Sequence, residues 1–436
     1  MKKTIKIIGA GLAGCEAAWQ AAERGCSVKL YEMKPEKYSP AHCSPYMAEL
    51  VCSNSLRSNA PTSAVGLLKE EMRKLDSLLI NIADETAVPA GQALAVDRDK
   101  FAAKITAHME EHPLIEIIHQ EQTTLAKETE TPLILATGPL TSEKMADSLA
   151  ELTGRDRLAF YDAIAPIVTA ESLNMDIIYS KDRWQDGLGD YLNCPFDKEQ
   201  YLAFIKALGE ADTVPLKEFE EAKYFEGCLP IEVMQSRGED TLRYGPMKPV
   251  GLRNPSTGRD PYAAVQLRME NRDGTLYNLV GFQTKLTYPE QKRIFRMIPG
   301  LENVEFERFG SIHRNTFVCA PLLLNSALQL QAHPNIYLAG QLSGVEGYVE
   351  STAMGLLAGI NAARTLMEKE IIAPPPETAL GALIKHLTET DPDCFQPSNV
   401  NFGLFPAWKQ KVPKKLRGEK RRELSEAAFS TWLKAL

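Results

Sequence analysis

The sequence predicts an α/β chain, a dinucleotide-binding unit of parallel strands and covering helices that is split by a smaller α+β insertion. Three observations predict it. A β-branched run at Ile5–Ile8 breaks into Gly9-x-Gly11-x-x-Gly14 and a helix-forming stretch. A second strand, glycine turn and helix recur late, from Ile336 to Leu366. Between them the charge balance and the hydrophobic period both change. At 436 residues the chain is long enough for two or three cores. Its 44% hydrophobic and 24% charged residues exclude disorder, and no apolar run approaches a membrane span. The basic start Met1-Lys2-Lys3 leads into one short strand and a glycine turn, unlike a signal peptide, so a cytoplasmic protein is expected.

Taken in order, Ile5–Ile8 reads as a strand, Cys15–Ala22 as a helix, and Ser27–Glu32 as a second strand, a complete βαβ unit. A polar segment from Lys34 to Ser63 follows, and a loop of that length inside an α/β domain is usually functional. Leu67–Leu79 and Asp97–His112 have helical spacing, while Leu114–His119 and Leu133–Ala136 read as strands. Asp197–Glu226 is acidic and helical. Arg237–Arg296 instead carries eleven basic against six acidic residues, with strand-like runs at Tyr262–Arg268 and Leu276–Thr284 joined through Asn271-Arg272-Asp273-Gly274. The expected boundaries are 1–200 for the first part of the nucleotide-binding domain, 201–304 for the insertion, and 305–436 for the second part with its tail. That tail is basic, Lys409 to Arg422 facing a single acid, Glu419.

The first glycine motif has its full context, with a strand before, a helix after, and Glu32 eighteen positions beyond Gly14. Gly9 permits the turn and Gly11 admits a pyrophosphate to the helix N-terminus. Gly14 lets the helix lie on the strand, and Glu32 can accept from ribose hydroxyls. Ala10, Leu12 and Ala13 complete the cradle. Two further segments favour a flavin over a nicotinamide as the resident group. Thr137-Gly138 ends a strand in a bare glycine, and Gly340-Gln341 with Gly344 and Gly347 opens a second helix. That pairing is the pattern of a Rossmann-like FAD-binding domain of the glutathione-reductase type.

Eight cysteines contain no C-x-x-C pair, which argues against zinc and iron–sulfur sites, and no metal is expected. Cys15, Cys26 and Cys319 sit among apolar or small neighbours and read as core. Cys52, in a polar loop with Arg57 nearby, and Cys228, flanked by Gly227 and Pro230, read as accessible thiols. An adjacent cation would favour the thiolate at either. His42 reads as a surface residue.

These segments together carry a resemblance. Gly9-Ala-Gly-Leu-Ala-Gly-Cys-Glu-Ala-Ala, Leu50-Val-Cys-Ser-Asn-Ser-Leu-Arg-Ser, Phe225-Glu-Gly-Cys-Leu-Pro-Ile-Glu, Gly238–Leu252, Ala339-Gly-Gln-Leu-Ser-Gly-Val-Glu-Gly-Tyr and Asn399–Pro406 resemble the bacterial folate- and FAD-dependent tRNA (uracil-5-)-methyltransferases over essentially the whole chain. The glycine motifs are shared with a sister family that modifies the tRNA wobble uridine.

The resemblance implies that 5,10-methylenetetrahydrofolate gives a one-carbon unit, reduced FAD carries and reduces it, NADH or NADPH restores the flavin, and carbon 5 of the T-loop uridine in tRNA is methylated. Uracil carbon 5 becomes nucleophilic only after a thiolate adds at carbon 6. The family's pattern gives that role to Cys228 and makes Cys52 a second thiol, guarding the methylene or taking the carbon 5 proton. The reverse assignment stays open. Arg237, Arg243 and Lys248 are candidates for phosphate or folate-glutamate contacts. Tyr348, Tyr224 or Phe225 could stack on an exposed base. Folate and tRNA are the expected partners, with no membrane and no obligate protein partner. Three rivals remain, an NAD(P)H-dependent flavin oxidoreductase acting on a small molecule, a wobble-uridine tRNA-modifying flavoenzyme, and a non-catalytic RNA-binding protein.

Overall fold

The structure is a computed structural model that describes residues 4–154, 158–185, 187–215, 229–408 and 410–436. Cys228, with Tyr224 and Phe225, lies outside the described residues, as does Lys409. The main sheet has six strands in the order Gln329–Leu330, His333–Leu338, Leu133–Leu135, Thr4–Ile8, Ser27–Glu32, Ile115–His119. All neighbours are parallel except the first pair. The early and late strands therefore lie in one sheet, with Leu133–Leu135 between them, and both glycine turns emerge at the same edge. The chain adopts the Rossmann-like FAD-binding α/β fold that the glycine motifs predict.

The first helix, Leu12–Glu23, lies against the late helix, Tyr348–Leu366, along a seam of small residues. A side-chain carbon built on Gly355 would stand 2.2 Å from the Ala13 carbonyl oxygen, and one on Gly359 2.5 Å from that of Ala17. Backbone meets backbone there, which is why Gly and Ala recur every four residues on both helices. The expected helix across Leu67–Leu79 is two helices, Ala64–Arg73 and Leu78–Glu85. Asp76 turns the chain with φ of 55°, and the Ser77 hydroxyl caps the second helix.

Two buried carboxylates tie these helices together. Glu16 accepts hydrogen bonds from the Ser77 hydroxyl and the Leu79 amide at 2.9 and 3.1 Å. Glu71 accepts from the Ala379 and Leu380 amides at 2.7 and 2.9 Å and from the Ser425 hydroxyl at 2.6 Å. Each thus sits at a helix N-terminus, where free amides favour an acceptor. Burial nevertheless pushes the Glu71 carboxyl up to about 7. The unfolded chain ionises from its ordinary value of 4.5 upward, so the wild type loses stability as pH rises toward 7. Glu71→Gln removes that dependence. The unfolding free energy of the variant relative to the wild type is expected to shift in the variant's favour by on the order of 3 kcal/mol between pH 4.5 and 7, measured by urea titration at each pH.

A second sheet runs Tyr179–Ser180, Leu192–Phe196, Ala263–Met269, Leu276–Leu279, Ile167–Thr169, Phe306–Arg308, antiparallel throughout. Its own core includes Val168, Phe196, Phe204, Phe282 and Phe295. The expected limits of 201 and 304 were set by the shift in charge. The strands begin at Ile167 and end at Arg308, so the sheet joins neutral runs on the N-terminal side of the charged stretch to strands within and after it. A two-stranded ribbon, Leu158–Ile164 against Ser311–Phe317, carries the chain out of the first domain and back.

The insertion docks on the loop that holds Cys52. Asn54 is fully buried and donates to the Val96 and Met269 carbonyls, both at 2.9 Å, while its own oxygen accepts from Arg268 at 3.0 Å. Arg268 also reaches the Ser53 hydroxyl at 2.7 Å, and Arg98 pairs with Glu270 at 2.9 Å. Asn54→Ala leaves these buried groups unpaired and is expected to cost about 2–3 kcal/mol, read as a lowered Tm. A Tm unchanged within a degree or so would contradict the bridge.

Candidate functional site

One cavity of about 320 Å³ opens where the two glycine turns meet the Cys52 loop, the linking ribbon and the insertion. Gly9, Ala10, Gly11, Leu12, Ala13, Glu32, Thr137, Gly138, Gly340, Gln341 and Gly347 all line it, as do Cys52 and Tyr348. Gly14 and Gly344 do not. A side-chain carbon at Gly14 would collide with the Gly9 carbonyl oxygen at 1.8 Å, so its part is helix-on-strand packing, and Gly344 packs against Phe395.

The cavity suits a dinucleotide cofactor. A side-chain carbon on Gly11 would have nothing within 4 Å, leaving its backbone open to the cavity, while Gly9 has φ of 98° and the Ala136 backbone against it. The helix beginning at Leu12 has Gly11 at its cap and the helix beginning at Tyr348 has Gly347, and neither receives a side-chain cap. Two sets of unclaimed amide donors thus face one space, as an anionic pyrophosphate and an electron-rich ring require. Glu32 accepts from the Ala10 and Lys34 amides at 2.8 and 3.0 Å, which fixes its carboxylate at the cavity wall.

The Cys52 loop is held from the opposite side. The Tyr348 hydroxyl accepts from the Cys52 and Ser53 amides at 2.6 and 3.3 Å, so this ring anchors the loop. Arg57, expected near the thiol, pairs instead with Glu350. The Cys52 sulfur donates to Asp162 Oδ2 at 3.5 Å. Burial first, then the carboxylates of Asp162 and Glu346, push this thiol well above its ordinary value. Acids from the linking ribbon and from the turn before the late helix thus stand near the Cys52 sulfur, while Arg57, also on the cavity wall, is paired with Glu350. The same crowding, after burial, raises the carboxyl of Glu346, which accepts a hydrogen bond from Gln341.

His42 also departs from expectation. It is half-buried, lines the cavity and pairs with Ser39 at 2.5 Å. Cys15 and Cys26 are core, and Cys319 is partly buried against it.

Arg237, Arg243 and Lys248 are not brought to this cavity. Arg237 lies on a shallow hollow with Leu229 and Tyr244, and Lys248 is exposed. Arg243 donates to the Tyr262 carbonyl at 2.9 Å and covers the Tyr262 ring at 4.0 Å, a packing role. In the tail, Arg421 is buried between Trp408 and Phe405, whereas Lys411, Lys414, Lys415, Arg417 and Lys420 stay exposed.

Asp162, Asn315, His313, Glu346, Gln283 and Asn399 line the cavity without having been singled out. Asp162 and Glu346 each stand as a lone acid in a largely apolar or glycine-rich run, a signal that only the fold turns into a site.

The geometry can now be set beside known proteins. Residues 4–370 match the family described as Glucose inhibited division protein A. Two crystal forms of Aquifex aeolicus GidA share the fold, with TM-scores of 0.67 and 0.69 at 15% and 16% identity, covering 100% and 98% of this chain and 76% of theirs. Much closer in sequence are proteins named methylenetetrahydrofolate–tRNA-(uracil-5-)-methyltransferase TrmFO. That of Desulfotalea psychrophila is 69% identical over 99% of this chain and 97% of its own length, and that of Pelobacter propionicus 58% identical over 99% and 95%. Identity of that level along the full length, on a GidA-type fold, places the chain in the methylenetetrahydrofolate–tRNA-(uracil-5-)-methyltransferase family.

Proposed function

We propose that the protein methylates carbon 5 of the T-loop uridine of tRNA, with 5,10-methylenetetrahydrofolate as one-carbon donor, FAD in the glycine-lined cavity, and NADH or NADPH as the source of electrons. The observation that carries this reading is the convergence of Cys52 with both glycine turns on one cavity. A small-molecule flavin oxidoreductase shares the glycine turns and has no use for the basic residues of the insertion and tail. The GidA-type fold serves the wobble-uridine rival equally well, and the identity to the named methyltransferases decides against it. With tRNA as substrate, the cytoplasm is the place of action.

The backbone of Gly9–Ala13 and the amides opening at Tyr348 would hold the cofactor's phosphates and ring, with Glu32 toward its ribose and Thr137, Gly138, Gly340 and Gln341 along its length. When bound, FAD supplies reducing equivalents and carries the one-carbon unit. The remaining steps belong to this chain. Cys228 adds through sulfur to carbon 6 of the uracil, which loads electron density onto carbon 5. Cys52 holds a proton on its sulfur at the cavity wall. Ile231, three residues after Cys228 in sequence, donates to the carbonyl of Gln283, a cavity residue. The exposed basic residues of the tail and the insertion supply phosphate contacts for the RNA.

The test is reconstitution. The purified protein is expected to be yellow and to form methylated uridine in an unmodified tRNA transcript only when methylenetetrahydrofolate and NADH or NADPH are both present. Turnover with S-adenosylmethionine in place of the folate, or full methylation without any reductant, would contradict the reading.

A further inference from the structure

We infer that Asp162 is the carboxylate to which Cys52 passes its proton, a positioning residue that lets the sulfur take a proton from carbon 5 of the uracil. The inference rests on the methyltransferase reading and deepens it. Asp162 lies in the ribbon that links the two domains, 7% exposed, with Oδ2 3.5 Å from the Cys52 sulfur. Asn315, on the opposite strand, donates to the same oxygen at 3.4 Å and so fixes its place. The Cys52 backbone is pinned by Tyr348. Sulfur and carboxylate thus stand side by side on the cavity wall, within reach of one another, the arrangement of a two-step proton path.

The groups around the sulfur make such a path necessary. Asp162 faces it from the ribbon, Glu346 from the turn before the late helix, Tyr348 from that helix, and Arg98 from the helix Arg98–Glu111. Arg98 is already paired with Glu270. Two acids and burial keep Cys52 a thiol, and a thiol can accept a second proton only as its own departs. The step balances without an oxidant. The C5–H bond breaks, its electron pair re-forms the C5–C6 double bond, and the Cys228 thiolate leaves carbon 6. The C5 proton goes to the Cys52 sulfur and the sulfur's former proton to Asp162 Oδ2.

The experiment uses the full-length flavoprotein and a tRNA transcript tritiated at uracil carbon 5. Asp162→Asn is expected to slow tritium release by on the order of a hundredfold at neutral pH, with the rate climbing at alkaline pH as Cys52 ionises by itself. Asp162→Glu, which keeps the charge, is expected to restore most of the rate without that climb. Independently of turnover, alkylation of Cys52 by iodoacetamide, followed by mass spectrometry of its peptide, is expected to move to lower pH in Asp162→Asn by about one unit or more. Should the asparagine variant not fold, the glutamate variant decides: release slowed a hundredfold and rising with pH overturns the relay. So does an asparagine variant that releases tritium within threefold of wild type across the range, or one whose Cys52 alkylates as in wild type. A wild type that releases no tritium sinks the methyltransferase reading itself.

Discussion

Gly355→Val is expected to yield a protein that purifies without flavin. A side-chain carbon at this position would lie 2.2 Å from the Ala13 carbonyl oxygen and 2.6 Å from the Ala13 α-carbon, both backbone atoms of the facing helix. Neither can step aside alone, so the helices Leu12–Glu23 and Tyr348–Leu366 must separate. Their N-termini are the two sides of the cavity, and separation pulls apart the amides that would grip one pyrophosphate. Overpacking of this kind costs about 3 kcal/mol, on the order of a hundredfold in cofactor affinity if the site bears it all. The measurement is the visible flavin band relative to the protein band, with Tm alongside. Stoichiometric flavin at an unchanged Tm would show that the seam does not set the cavity.

Cys228→Ala is expected to remove methylation altogether, by about a thousandfold or more, because without sulfur addition at carbon 6 the ring has no nucleophilic carbon 5. Cys52→Ala is expected to slow turnover by on the order of a hundredfold and to leave the carbon 6 adduct able to form. Trapping that adduct with a 5-fluorouridine transcript separates the two. The expected result is covalent protein–RNA complex with Cys52→Ala and none with Cys228→Ala. The reverse pattern would exchange the roles. The surroundings of Cys52 favour the assignment as written: a thiol pushed upward by burial and by two carboxylates is suited to holding a proton and ill suited to nucleophilic attack at neutral pH.

The glycine turns were legible because their requirement is local. A backbone that must approach a phosphate or another backbone tolerates no side chain, and Gly9, Gly14 and Gly340 state that directly. The Cys52 loop was legible as a motif but not as an environment. Arg57 lies five residues away in sequence, yet the fold turns it to Glu350 and brings in Asp162 from 110 residues downstream. No spacing rule could supply that acid. The strands of the second sheet run beyond the expected limits of 201 and 304 for a related reason: composition marks where charge changes, whereas a sheet begins where strands find partners. Arg243 and Arg421 carry a similar lesson, since a basic residue counted toward RNA binding can be spent covering an aromatic ring.

The most direct test of the whole account is transfer of a labelled methylene group from methylenetetrahydrofolate to an unmodified tRNA transcript, with the labelled nucleotide mapped after digestion. The account predicts label on carbon 5 of the T-loop uridine with the wild-type protein and none with Cys228→Ala. A yellow protein that oxidises NADH or NADPH while the tRNA stays unlabelled would contradict it, leaving the fold intact and the chemistry to a small molecule.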